Sequence, residues 1–336
     1  MPEKAIVVGA GGISDAWFPP LIAEQLEIAA VVDLRLEAAR AKVAQYHLDA
    51  DVAADLASAL TKAKPDFVLD LTVPEAHHEV TCMALEAGCH VIGEKPMAPS
   101  MEEARGMVRT SERTGKLYMV DQSRRWDPRH EAVRRALAVG TVGDVTTINC
   151  DFYLGAHFGG FRDEMDHPLI LDMAIHHFDL ARMMAGADPV AVYAKEFNPK
   201  GSWYKGDVAA SCVFEMADGI IFTYRGSWCA EGLHTSWNGD WRFVGSEGTL
   251  VYEHDNDPKA QVVAGDTGFH RPLKDVPVPA PEMEATGMHG ALREMLRFLR
   301  TGELPQTECH DNIKSLAMCF AAIESARSGR RVRVEA

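Results

Sequence analysis

Ala5-Ile6-Val7-Val8-Gly9-Ala10-Gly11-Gly12-Ile13-Ser14 is an apolar strand that runs straight into a glycine turn and then a helix. Glycine at position 9 permits the tight turn, and Gly11 lets backbone approach a pyrophosphate at a helix N-terminus. The spacing matches the first two glycines of a dinucleotide-binding fingerprint. Ser14 stands where the third Gly or Ala belongs, a departure that slightly loosens helix–strand packing. Asp33 ends the next apolar run about 20 residues on, the place of a ribose-binding carboxylate. Its charge repels a 2′-phosphate, so the pattern predicts NAD; NADP stays possible because Arg35 lies two residues further. Gly9, Gly11, Gly12, Ile13, Asp33 and Leu34 are the first cofactor-binding candidates.

The alternation continues outward. Apolar strands read at Ala5–Val8, Ile28–Val32, Phe67–Leu71, His90–Ile92 and Leu117–Val120, with helical stretches near 13–24, 35–46, 52–62, 76–87 and 101–114. Fully apolar strands alternating with amphipathic helices predict a parallel sheet covered on both faces, hence a dinucleotide-binding domain over 1–121. After it the rhythm changes. A helix near 128–138 leads to a strand at 145–153 and a helix at 169–184. Strands then follow in succession near 191–196, 209–215, 220–228, 241–245, 249–253 and 261–264. Successive strands without intervening helices predict antiparallel pairing, so 122–336 reads as a second, α+β domain. Within it, 272–281 reads as an extended connection, followed by helices near 288–300 and 312–328 and a short strand at 331–334.

Composition is that of an ordinary soluble chain: 336 residues, 47% hydrophobic and 25% charged. A net charge of −15 disfavours nucleic acid and anionic membranes as partners. The seven cysteines are odd in number and form no CxxC pair, which argues against a disulfide framework or a zinc knuckle. The chain enters a strand without a basic-then-apolar leader, and no apolar run approaches a membrane span, so a cytoplasmic location is expected.

Two further strand ends carry polar residues where core packing does not ask for them. One continues Thr72-Val73-Pro74-Glu75-Ala76-His77-His78; the other is Glu94-Lys95-Pro96. Ligands of open parallel sheets bind outside the carboxyl ends of the strands. Thr72, Pro74, His78, Glu94, Lys95 and, past the last strand, Gln122 therefore extend the cofactor candidates, with one of His77 and His78 expected to touch the cofactor. On the helix from Leu169, Asp172, His176 and Asp179 follow at i, i+4 and i+7 and share one face at 3.6 residues per turn. Three readings stand open: a carboxylate-oriented general base, a buried structural network, or metal ligation. The last lacks a further ligand motif, and no metal is expected.

Together these residues resemble the glucose–fructose oxidoreductase and inositol dehydrogenase (Gfo/Idh/MocA) family over nearly the whole chain. The resemblance rests on Gly9-Ala10-Gly11-Gly12, on Thr72-Val73-Pro74 with His78 four residues past the proline, and on Glu94-Lys95-Pro96. It continues with Ser123-Arg124-Arg125-Trp126 opening the second domain and with the Asp172, His176, Asp179 helix. Glu75 departs from the asparagine common in the family. The resemblance implies a Rossmann domain joined to a large, mostly antiparallel sheet that serves homodimers or homotetramers. It also implies hydride transfer between a nicotinamide and a sugar, cyclitol or related polyol. Lys95 matches the lysine that hydrogen-bonds the reacting hydroxyl, with a cis bond to Pro96, and Asp172 with His176 matches the pair near the reacting carbon. Arg124, Tyr153, His157, Arg162, Asp172 and His176 are the substrate candidates, with Trp203 and Asn238 weighed beside them. The same fold hosts NAD-dependent glycosidases that oxidise a sugar transiently, which is the alternative activity. A cofactor-binding regulator without chemistry has no use for both Lys95 and His176.

Overall fold

The first sheet follows from the apolar runs. In the computed structural model, which describes residues 2–336, six strands are all parallel: β1 (Lys4–Val8), β2 (Glu27–Val32), β3 (Asp51–Ala53), β4 (Phe67–Asp70), β5 (His90–Gly93) and β6 (Tyr118–Val120). Their order is β3-β2-β1-β4-β5-β6. Consecutive residues such as Phe67, Val68 and Leu69 are buried, as a parallel sheet covered on both faces requires. The crossovers are α1 (Ser14–Ala23), α2 (Leu36–Gln45), α3 (Leu56–Ala63), α4 (Pro74–Glu86) and α5 (Met101–Thr114). The chain leaves β1 toward β2 on one side and returns through β4 on the other. Gly9 thus stands at the switch point where such sheets bind ligands. The helix expected from Val52 starts later: Val52 lies in the short edge strand β3, and Asp55 caps α3 by accepting the Ser58 amide at 2.8 Å.

The second sheet has nine strands. After α6 (Pro128–Ala138) come β7 (Val145–Tyr153), the short α7 (Phe161–Glu164), a π-helical turn Leu169–Ala174 and α8 (Ile175–Ala185). Then follow β8 (Pro189–Phe197), β9 (Ala209–Met216), β10 (Ile221–Ser227), β11 (Asp240–Gly245), β12 (Gly248–Tyr252), β13 (Lys259–Val263) and β14 (Leu273–Pro277). Two helices, α9 (Gly287–Thr301) and α10 (Cys309–Ser328), precede β15 (Val332–Arg333). The order is β14-β13-β12-β11-β7-β10-β9-β8-β15. Every pairing is antiparallel except β7 with β10, which are not successive and run parallel, so the sheet is mostly antiparallel. The segment read as an extended connection supplies β14, an exposed edge strand whose Pro277 sits where no further ladder donor is needed. Side chains alternate: Phe214, Phe222, Tyr224 and Phe243 are buried, while Val213 and Ile221 point outward and are exposed.

The chain divides into two compact units, residues 1–126 with 284–313, and residues 127–283 with 314–336. An unbroken second domain over 122–336 is thus corrected. The returning α9 buries Leu292, Met295 and Leu296. Glu24 at the end of α1 accepts from His289 and Arg293, each at 2.7 Å, and Arg300 bonds Glu3 at 2.6 Å. Trp126 fills the place a side chain would take at position 290: a Cβ on Gly290 would lie 2.5 Å from the Trp126 Cβ. The turn Ser123–Trp126, expected to open the second domain, closes the first unit instead. Its buried Arg125 donates to the Gln306 carbonyl at 3.0 Å and to Asp311 at 2.8 Å.

Candidate active site

In the first unit, three neighbouring strand ends build one set of groups. Gly9 has φ +98°, and a Cβ there would lie 2.5 Å from the Leu71 carbonyl oxygen, so only glycine serves. The Asp33 carboxylate, little exposed, accepts the Ala10 amide on one oxygen and the Arg35 amide on the other, both at 2.8 Å. That ties the end of β2 to the glycine turn. A Cβ on Gly11 or Gly12 would meet nothing within 4 Å, so this backbone is open to a ligand. A cavity of about 540 Å³ is lined by Gly9, Gly11, Asp33, Leu34 and Thr72, among others. These residues fit a dinucleotide: open backbone at a helix N-terminus, a carboxylate at the ribose position and an adjoining apolar chamber.

At the next strand ends the Thr72 hydroxyl and amide bond the buried Asp70, at 2.6 and 3.2 Å. Pro74 opens α4. His77 is buried, with Nδ1 3.0 Å from the Pro96 carbonyl oxygen and Nε2 3.0 Å from that of Thr72. His78 turns the other way and packs against Gly106 of α5, off the cavity lining. Of the two histidines it is His77 that holds the strand ends together. A charge cluster follows β5. The Lys95–Pro96 peptide is cis, and Lys95 is half-buried. Glu94 is buried and accepts the Trp17 indole N–H at 2.8 Å. Asp121, just past β6, is also buried. Burial, and then the Glu94 carboxylate, push its carboxyl well above the usual range, while Lys95 opposes the shift. Reading the sequence for motifs passed over Asp121, although a charged residue at a strand end is the same signal that marked Lys95. Gln122 beside it is buried, and Arg124 lies half-buried in the turn that follows.

In the second unit the π-helical turn changes the expected stripe. π-turns are wider than α-turns and recur at functional sites. Asp172 lies on the π-turn, buried, and accepts Arg162 Nε at 2.6 Å. Arg162, a substrate candidate, thus spends its Nε on this bond. Asp179 belongs elsewhere. It accepts the Ser315 hydroxyl of α10 at 2.7 Å and faces Arg182 at 3.9 Å in the interior. The shared face of Asp172, His176 and Asp179 is therefore corrected: Asp179 is structural. Between Ile175 and Met184 every residue is buried except His176, which is half-exposed. A helix buried nearly all round, polar His177, Asp179 and Arg182 included, is more open at that one imidazole.

The remaining substrate candidates sit on loops of the same unit. Tyr153 ends β7, half-buried, and His157 stacks on Trp203 at 3.7 Å while bonding Glu231 at 2.7 Å. The Trp203 indole donates to the Ala156 carbonyl at 3.3 Å. Asn238 donates to Asp255 at 2.9 Å and accepts the Trp241 indole N–H at 2.8 Å, which fixes its loop. All seven cysteines are free.

Two family models match this chain: an oxidoreductase family with an NAD-binding Rossmann fold over residues 4–122, and the C-terminal domain of that family over residues 130–251. The chain belongs to the Gfo/Idh/MocA family. It is an NAD-binding oxidoreductase. A D-apiose dehydrogenase of Paraburkholderia graminis is 28% identical over 99% of this chain and 90% of its own length. A D-glucoside 3-dehydrogenase of Escherichia coli is 33% identical over 60% of this Gfo/Idh/MocA chain and 59% of its own. Among solved structures, an Agrobacterium radiobacter oxidoreductase in complex with NAD⁺, L-tartaric acid and magnesium shares the fold with a TM-score of 0.87. It is 22% identical over 99% of both chains.

Proposed function

We propose that this Gfo/Idh/MocA protein oxidises a secondary hydroxyl of a sugar, cyclitol or related polyol to the ketone. The observation that carries the reading is the placing of Lys95. It follows β5, two strands from β1 in the sheet, so at about 4.8 Å per strand it stands roughly 10 Å along the strand ends from Gly9. That is the scale of a dinucleotide laid across the switch point. When bound, NAD supplies the two-electron acceptor.

The chain's own groups then have distinct tasks. Lys95 donates a hydrogen bond to the reacting hydroxyl oxygen and stabilises negative charge as it develops there. The His176 imidazole receives the hydroxyl proton, and Asp172, held by Arg162, orients the imidazole or a neighbouring substrate hydroxyl. Glu94 and Asp121 keep acidic groups beside the lysine, out of water. Asp33, Asp55 and Glu79 all line the cofactor cavity, and three carboxylates there favour NAD over a cofactor bearing a 2′-phosphate. The outward, exposed Tyr193, Val213 and Ile221 of the nine-stranded sheet support a homo-oligomer formed through that face.

The test is a screen of sugars, polyols and aldonates with NAD⁺ and NADP⁺. NADH accumulating with one substrate class, together with the matching ketone, is the expected result. Glycoside cleavage without net NADH would replace this reading with that of a glycosidase.

A further inference from the structure

Three loops leave the same end of the nine-stranded sheet. β7 and β10 run parallel and in register, with Tyr153 opposite Ser227, so 154–165 and 228–239 both begin there. Ala209 pairs with Ser227 and with Phe197, which brings 198–208 to the same end. The loops carry a run of rings. Phe158 lies 5.2 Å from Trp228 and 6.1 Å from Trp237, and the Arg162 guanidinium sits 5.0 Å from the Phe158 ring and 4.7 Å from that of Phe161. Phe158, Phe161 and Trp237 are nonetheless 46%, 64% and 46% exposed.

Several polar groups of these loops bond one another within the unit. Arg162 bonds Asp172, His157 bonds Glu231, and the Trp203 indole and Tyr204 hydroxyl both donate to the Ala156 carbonyl. What the rings themselves present outward is aromatic carbon, with the guanidinium of Arg162 between Phe158 and Phe161. A bare sugar needs hydrogen-bond partners as well as ring faces, whereas a flat apolar group needs only the faces. The run is also continuous with the candidate active site, because Arg162 touches both rings and the Asp172 carboxylate. Exposed aromatic surface of this kind marks a binding region.

We propose that Phe158, Phe161 and Trp237, with Arg162 between them, form a subsite for a planar apolar substituent on the polyhydroxylated substrate. The substrate class is then a glycoside with an apolar, aryl-type aglycone. This rests on the polyol reading above and names its substrate further.

Equilibrium binding separates the two claims. Calorimetric titration of the full chain with NAD present would compare methyl and phenyl glycosides of glucose, galactose and xylose. The phenyl glycoside of at least one sugar should bind about tenfold more tightly than its methyl counterpart, the effect of one or two aromatic contacts. Phe158→Ala and Trp237→Ala should each reduce that preference to about threefold or less, leaving a cooperative thermal unfolding transition and methyl glycoside binding unchanged. Equal binding of the two series, no binding of any phenyl glycoside, or a preference that survives both substitutions would overturn the subsite. NADH formation is read separately. Its absence with the aryl preference intact counts against hydroxyl oxidation and leaves the subsite standing.

Discussion

His77 of α4 faces two carbonyl oxygens at once, that of Pro96 through Nδ1 and that of Thr72 through Nε2, each at 3.0 Å. A neutral imidazole donates to one carbonyl only, and the ring is packed between the turn after β4 and the turn that carries Lys95. Its work is positional, and misplacing a catalytic group by about 1 Å can cost about 10² in rate. His77→Ala should therefore lower kcat about tenfold or more while the NAD dissociation constant changes by less than about threefold. Steady-state kinetics beside a fluorescence titration of NAD read the split. An unchanged kcat would remove His77 from the positioning of Lys95.

We propose that Asp33 sets the choice of cofactor. Both its oxygens accept backbone amides, which fixes the carboxylate at the mouth of the cavity. The parent protein should use NAD⁺ with the higher kcat/KM. Asp33→Ala should lower that efficiency at least about tenfold and narrow the gap to NADP⁺, since it removes both a ribose acceptor and the repulsion of a 2′-phosphate. A parent that prefers NADP⁺ contradicts the assignment.

Asp121 should make stability depend on pH in a defined direction. Burial and Glu94 raise its carboxyl in the folded state above the ordinary value of 3.8. The unfolded chain loses that proton first as pH rises, so stability is whole below about pH 4 and falls as pH climbs toward the folded-state value. Asp121→Asn mimics the neutral acid and does not titrate. The melting temperatures of variant and parent should diverge above about pH 4, with the variant the higher at neutral pH. Parallel curves across that range would show that Asp121 ionises in the fold as easily as in the unfolded chain.

Lys95 and His176 should behave as chemical groups rather than binding groups. Lys95→Ala and His176→Ala should each cut turnover by about 10²–10⁴, the usual range for losing such a partner, with NAD binding retained. Near-parent turnover in either variant would remove that residue from the mechanism.

Much of this was legible in the residues. Gly9, Gly11 and Asp33 marked the turn after β1 because few residue types suit it: Gly9 has φ +98° and no room for a Cβ, and Asp33 accepts the Ala10 amide. β7 and α6 could be read to their ends, since Pro128 opens the helix and strict alternation runs through Tyr153. What escaped depended on distant partners. Glu284–Ile313 returns to the first unit through Glu24, Trp126 and Glu3, and no local pattern in α9 names them. Asp179 looked like a site residue because an α-helical count was carried through a segment that winds as a π-turn. Its real partner, Ser315, is 136 positions away. The parallel pairing of β7 with β10 is equally silent in sequence, yet it is what gathers the aromatic loops at one end of the sheet.

The most direct measurement of the central claim is NADH absorbance during incubation of the purified chain with NAD⁺ and the polyol panel, with the organic product identified in parallel. The account predicts NADH formed in equal amount to a ketone derived from a secondary hydroxyl, and at least about a hundredfold less from the Lys95→Ala variant. A glycoside cleaved with no net NADH, or no turnover of any sugar, cyclitol or polyol by a chain that demonstrably binds NAD, would contradict it.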